Sequence, residues 1–228
     1  IDRPKALRLL TDACGIDSDD PTTASEPGAC LALGDLRKDG WMFEIERKDN
    51  FRGAYLRAAA RARCFDGDSS GCAVRARANL ALATADATPG TAVSASAIKS
   101  AAEAAELGCT QGRHVAACSV LRSVAFRGND AALSQRRAKA ADAGFLAACT
   151  QDNDLDGCAL ANDPAQRAAV QAVYVKRCTA GDRRACGQQH HAELIAARDA
   201  AETATAVTAL IATCDGDGHE LCSELAVD

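Results

Sequence analysis

The sequence predicts an all-α chain, a solenoid of stacked helical hairpins, on three observations. The twelve cysteines of the 228 residues fall into six successive pairs, and five of the six are separated by only eight or nine residues. The segments leading into most of the first cysteines carry apolar residues at helical spacing, with no strand-like alternation. Between paired cysteines stand glycine and aspartate, the residues that suit a helix C-terminus and the N-cap of a following helix.

Two cysteines so spaced can meet when a helix ends at the first and an antiparallel helix starts at the second. The closed end of such a hairpin supplies the Cα separation of roughly 4.4–6.8 Å that a disulfide needs. The first pair, Cys14/Cys30, holds a 15-residue insert, Gly15 to Ala29, with Pro21 and Pro27. The second, Cys64/Cys72, encloses Phe65-Asp66-Gly67-Asp68. The helix before the third pair places Ile98, Ala101, Ala102, Ala105 and Cys109 on one face, and Thr110-Gln111-Gly112 turns toward Cys118. Ala138, Ala141, Phe145 and Cys149 share the next stripe; Pro164 follows Cys158 by six residues and limits that helix to little more than one turn. Val170, Val173, Tyr174 and Cys178 lead into Thr179-Ala180-Gly181-Asp182 and Cys186. Val207, Leu210, Ile211 and Cys214 lead into Asp215-Gly216-Asp217-Gly218 and Cys222.

Capping residues agree with these turns. Asp68, Asp154 and Asp182 each stand four residues before a second cysteine, and Asp217 with Glu220 has capping-box spacing. First cysteines recur at intervals of 50, 45, 40, 29 and 36 residues, centred where helical-hairpin repeats lie.

The stretch Gly28-Ala29-Cys30, Leu33-Gly34-Asp35-Leu36, Gly40, then Asp49 through Ala54, Tyr55, Ala59 and Ala60 to Cys64, resembles the bacterial secreted, cysteine-rich Sel-1-like repeat proteins, relatives of the tetratricopeptide α-solenoids. A weaker copy runs from Ala117-Cys118 through Leu121, Phe126 and Gly128. The resemblance implies about six antiparallel helix pairs stapled by successive disulfides over residues 4–228. It also implies an association with penicillin binding and weak β-lactamase activity, without a motif that transfers to particular residues here.

A solenoid is quasi-one-dimensional, so one continuous domain over residues 1–228 is expected. The apolar fraction of 48% is largely alanine and aromatics are only 4%, so each residue buries little area and disulfides matter. Twelve paired cysteines point to an oxidising compartment, periplasmic or extracellular. No signal peptide is visible at Ile1 and no apolar run approaches a membrane span, so the chain reads as a processed mature product. A net charge of -5 argues against general nucleic-acid binding. Basic clusters at Arg57, Arg61 and Arg63, at Arg75 and Arg77, and at Arg136, Arg137 and Lys139 read as solvated helix faces, with a patch for an acidic partner as the second reading.

Four motifs suggest chemistry, each beside a plainer reading. Gly67-Asp68-Ser69-Ser70-Gly71 matches G-x-S-x-G, but its elbow needs a preceding strand and the segment lies in a helix turn. Ser96-Ala97-Ile98-Lys99 matches S-x-x-K without S-D-N or K-T-G companions, and reads as a helix start with a solvent-facing lysine. Asp152-x-Asp154-x-Asp156-Gly157 begins like a calcium loop, with Asp163 at the twelfth position; helix caps explain Asp154 and Asp163 equally. His190 and His191 follow Gln188 and Gln189, with His114 and His219 in other turns; adjacent histidines on a helix diverge and read as exposed polar positions.

The expected function is a non-catalytic scaffold that binds a protein or peptide on the solenoid surface. The alternatives are a penicillin-binding or weakly hydrolytic activity and a structural subunit of an extracellular assembly. No cofactor is expected, with calcium at Asp152, Asp154, Asp156 and Asp163 as the alternative; the twelve cysteines are assigned to disulfides rather than to metal.

Overall fold

A computed structural model describes residues 3–15, 26–38, 50–65, 68–85, 92–127, 130–161 and 163–214. Among the described residues there are eleven α-helices, one short 3-10 turn and no strand. Successive helices pair as hairpins: α1 (Arg3–Cys14) with α2 (Pro27–Lys38), α3 (Asn50–Arg61) with α4 (Ser69–Ala85), and α5 (Ala92–Thr110) with α6 (Val115–Ala125). Then come α7 (Ala131–Asp152) with α8 (Leu155–Leu160), and α9 (Arg167–Thr179) with α10 (Arg183–Ala196). The last helix among the described residues is α11 (Ala200–Cys214).

Five disulfides close these hairpins, Cys14–Cys30, Cys64–Cys72, Cys109–Cys118, Cys149–Cys158 and Cys178–Cys186, with Cα separations of 4.3 to 4.7 Å. The expected sixth, Cys214 with Cys222, lies outside the described residues at Cys222. Five bridges of this kind mark a protein of an oxidising environment. No helix among the described residues is long and apolar enough to cross a membrane.

The five hairpins share one local design. In each, the second cysteine is the fourth residue of its helix rather than the first, so the helix begins three residues earlier than the cysteine spacing alone suggests. Its own N–H makes the first helical hydrogen bond, to the cap carbonyl: Cys30 to Glu26, Cys72 to Asp68, Cys118 to His114, Cys158 to Asp154 and Cys186 to Asp182, at 3.0 to 3.2 Å. In four hairpins the cap N–H reaches back to the carbonyl just before the first cysteine: Glu26 to Ala13, His114 to Gly108, Asp154 to Ala148 and Asp182 to Arg177. The residue ahead of the cap takes left-handed backbone in the last three, Arg113 (φ 50°), Asn153 (φ 53°) and Gly181 (φ 90°). That conformation reverses the chain and satisfies terminal carbonyls of the preceding helix.

The second hairpin departs from the pattern because α3 ends at Arg61 and leaves Cys64 outside any helix. The chain there crosses the start of α4 so closely that a Cβ on Gly71 would lie 1.8 Å from the Arg63 carbonyl oxygen. Only glycine admits that crossing. The fourth hairpin is short on its second arm, as Pro164 requires: α8 has six residues, and Asp163 then caps the 3-10 turn by accepting from the Ala165 N–H at 2.9 Å.

The chain divides into two compact units, residues 1–145 and 146–228. In the first, Tyr55 is fully buried against Leu33, Leu82 and the Cys14–Cys30 bridge. Gly34 makes room for its ring, since a Cβ there would stand 2.5 Å from Cε1. The Tyr55 hydroxyl donates to Asp35 at 2.8 Å, and Arg77 pairs with the other oxygen of the same carboxylate at 3.0 Å. Farther along, Ala101, Ala102 and Ala105 of α5 are fully buried, as are Leu121 of α6 and Ala141 and Phe145 of α7. Arg122 lies 4.9 Å above the Phe145 ring while pairing with Asp142. The second unit is thinner: Val170, Val173, Tyr174 and Ala185 supply most of its buried side chains after Cys158. Here α11 differs from its expected stripe. Val207 and Ile211 are 37% and 55% exposed, and the buried residue is Ala206.

Candidate functional site

Several of the predicted motif residues make local structural contacts. Asp68 caps α4, accepting from the Gly71 N–H at 2.8 Å and the Ser70 hydroxyl at 3.0 Å. These bonds, with the Arg63 charge nearby, hold its carboxyl below the ordinary aspartate range. Ser69 and Ser70 therefore begin a helix, and no strand leads into them among the described residues. Lys99 faces Glu103, one helical turn on, at 3.9 Å, with both side chains largely exposed.

The four aspartates of the calcium-like loop go to separate tasks. Asp154 caps α8 through the N–H groups of Asp156 and Gly157, Asp156 pairs with Arg184, and Asp163 caps the 3-10 turn. Asp152 is the last residue of α7. Among the described residues no group of three histidine, cysteine or carboxylate side chains could hold a metal ion. His190 pairs with Glu193 at 3.0 Å, and Gln189 donates to the other Glu193 oxygen at 2.8 Å. Those two bonds, that from Gln189 foremost, lower the Glu193 carboxyl.

The basic clusters are partly spent on local contacts. Arg57 donates to the Gly15 carbonyl, and Arg77 to Asp35. Arg57 spans two hairpins: the carbonyl it takes belongs to the left-handed Gly15 (φ 62°) that ends α1.

A concavity lies between α10 and α11, a groove of about 490 Å³ lined by Glu193, Ala196, Ala197, Ala201, Glu202, Thr205 and Ala206. Four alanines keep its walls shallow and apolar, and two carboxylates stand at it. Its position follows from the tight link between the helices. Asp199 caps α11 through the N–H groups of Ala201 (2.9 Å) and Glu202 (2.8 Å), and Glu202 accepts in turn from the Arg198 N–H at 2.8 Å. Sequence reading passed over this groove because alanine and glutamate on helices look like ordinary solvent-side positions. The Asp199-x-x-Glu202 spacing of a capping box was the available signal.

No protein-family model, curated protein or solved structure matches this chain.

Proposed function

We propose that this protein is a disulfide-stapled helical-repeat scaffold of the periplasm or extracellular space that binds a peptide or protein segment. The α10–α11 groove carries this reading: its alanine walls suit small apolar side chains, and Glu193 and Glu202 suit a basic residue in the same segment. The recurrent stapled hairpin supports kinship with the cysteine-rich Sel-1-like repeat proteins.

The test uses the oxidised full chain as bait against a secreted or envelope extract, followed by hydrogen exchange on any recovered complex. Protection across Glu193 to Ala206, lost together with binding in an Ala201→Arg variant, is the expected result. A partner retained equally by that variant, or protection confined to other helices, overturns this assignment of the surface.

A further inference from the structure

The five disulfides differ in access. Cys14, Cys30, Cys72, Cys109, Cys118 and Cys149 are fully buried and Cys158 nearly so, whereas Cys64 is half-buried. Cys178 and Cys186 are half-buried as well. What separates Cys64 from these two is its setting. It is the one first cysteine of the five bridges that lies outside a helix, and it lines a cavity of about 200 Å³ together with Arg75, Ser100, Glu103, Ala104 and Leu107. The cavity is thus lined by one arginine, one glutamate, one serine and a short apolar wall beside a half-buried cysteine, and Glu103 also faces Lys99 at 3.9 Å.

We propose that this cavity admits a small α-amino thiol of the cysteine class and that Cys64 is a site of S-thiolation. Arg75 matches the carboxylate of such a thiol and Glu103 its ammonium, a complementarity that a neutral thiol lacks. The incoming thiolate attacks Cys64 Sγ. A new S–S bond forms there, the Cys64–Cys72 bond breaks, and Cys72 Sγ leaves with the electron pair as a thiolate that then takes a proton from solvent. The direction is set by access and by the leaving group. Cys72 is fully buried, so it cannot be the sulfur attacked, and it stands in the first turn of α4, where the positive end of the helix favours a thiolate. No net oxidant is required, because the existing disulfide is the electrophile. A second thiol, or Cys72 itself, reverses the modification.

The experiment treats the oxidised full chain with limiting cysteine or 2-mercaptoethanol, at equal thiolate concentrations, then alkylates and locates adducts by peptide mass spectrometry. The expected first adduct is cysteine on Cys64 with Cys72 alkylated. Relative to each thiol's rate on a small exposed disulfide, which removes the intrinsic difference in thiolate nucleophilicity, cysteine should react about threefold faster than 2-mercaptoethanol, as an exposed charge contact of this strength gives. That preference should fall to near unity in Arg75→Gln and in Glu103→Gln, while the 2-mercaptoethanol rate stays unchanged and shows that the cavity is intact. First incorporation at Cys178 or Cys186, an adduct on Cys72, or a thiol preference unaffected by both substitutions overturns the proposal.

Discussion

Arg177 donates through one guanidinium nitrogen to the main-chain carbonyl of Asn153 and through another to the carboxylate of Asp182. Asn153 is the left-handed residue of one hairpin turn and Asp182 caps the second helix of the next, so one side chain ties consecutive turns together. Arg57 makes the corresponding reach to Gly15 in the first unit. The fork geometry of arginine is what allows two acceptors at once.

Arg177→Ala should therefore destabilise the second unit by about 2 kcal/mol, because a half-buried carbonyl and carboxylate lose a charged donor. Arg177→Lys should recover less than half of this, since an ammonium cannot span both acceptors. Urea denaturation followed by helical circular dichroism measures both, and a lysine variant equal to the wild type would count against the fork.

Gly144 packs on the third bridge: a Cβ there would lie 2.3 Å from Cys109 Sγ and 2.5 Å from Cys118 Sγ. A disulfide cannot swing aside as a flexible side-chain tip can. Gly144→Ala should cost about 1–3 kcal/mol by overpacking. It should cost much less in a Cys109→Ala/Cys118→Ala background, and thermal unfolding of the wild type, Gly144→Ala, the double cysteine variant and their combination gives the coupling directly.

The lowered carboxyl of Asp68 has a signed consequence. Its folded-state proton affinity is below the unfolded one, so the cap's contribution is present above the ordinary aspartate pKa of about 4 and is lost as pH falls through the lower folded value. Asp68→Asn should flatten the acid limb of the stability curve across that window while changing little of its shape at neutral pH and above. An acid limb identical to that of the wild type would show that other groups set it.

Tyr55 offers a test of burial against hydrogen bonding at one position. Tyr55→Phe keeps the ring beside Gly34 and removes the 2.8 Å bond to Asp35, at a cost of about 1 kcal/mol. Tyr55→Ala opens a cavity in the first unit and should cost about 3–5 kcal/mol. Chemical denaturation of the two variants separates the terms.

Much of this was legible in the sequence where the cause is local. Asp68, Asp154 and Asp182 could be read as caps because a helix start needs an acceptor within three residues, and each structure-derived bond runs within that distance. His114 occupies the same place in the third hairpin without a side-chain cap bond, so no residue preference announced it. Pro164 foretold the short α8 through its missing donor. The contacts between hairpins were not legible: Arg177 with Asn153, Arg57 with Gly15 and Gly34 with Tyr55 depend on how turns and faces meet, which periodicity does not encode. The α11 stripe failed for a related reason. Helical spacing identifies an apolar face, but whether a neighbour covers it is a tertiary matter, and Val207 and Ile211 stay exposed. The groove residues were hidden because small side chains signal close approach only once the neighbouring helix is in place.

Because the second cysteine of each of the five described bridges also donates the first hydrogen bond of its helix, covalent closure and helix initiation occur there on the same few atoms. Each bridge spans 8 to 16 positions, so its two thiols meet without waiting for any remote part of the chain. Such a chain can oxidise hairpin by hairpin in the order its residues become available. Correct pairing then follows from nearest-neighbour encounter, and reshuffling of wrongly joined thiols has little to repair.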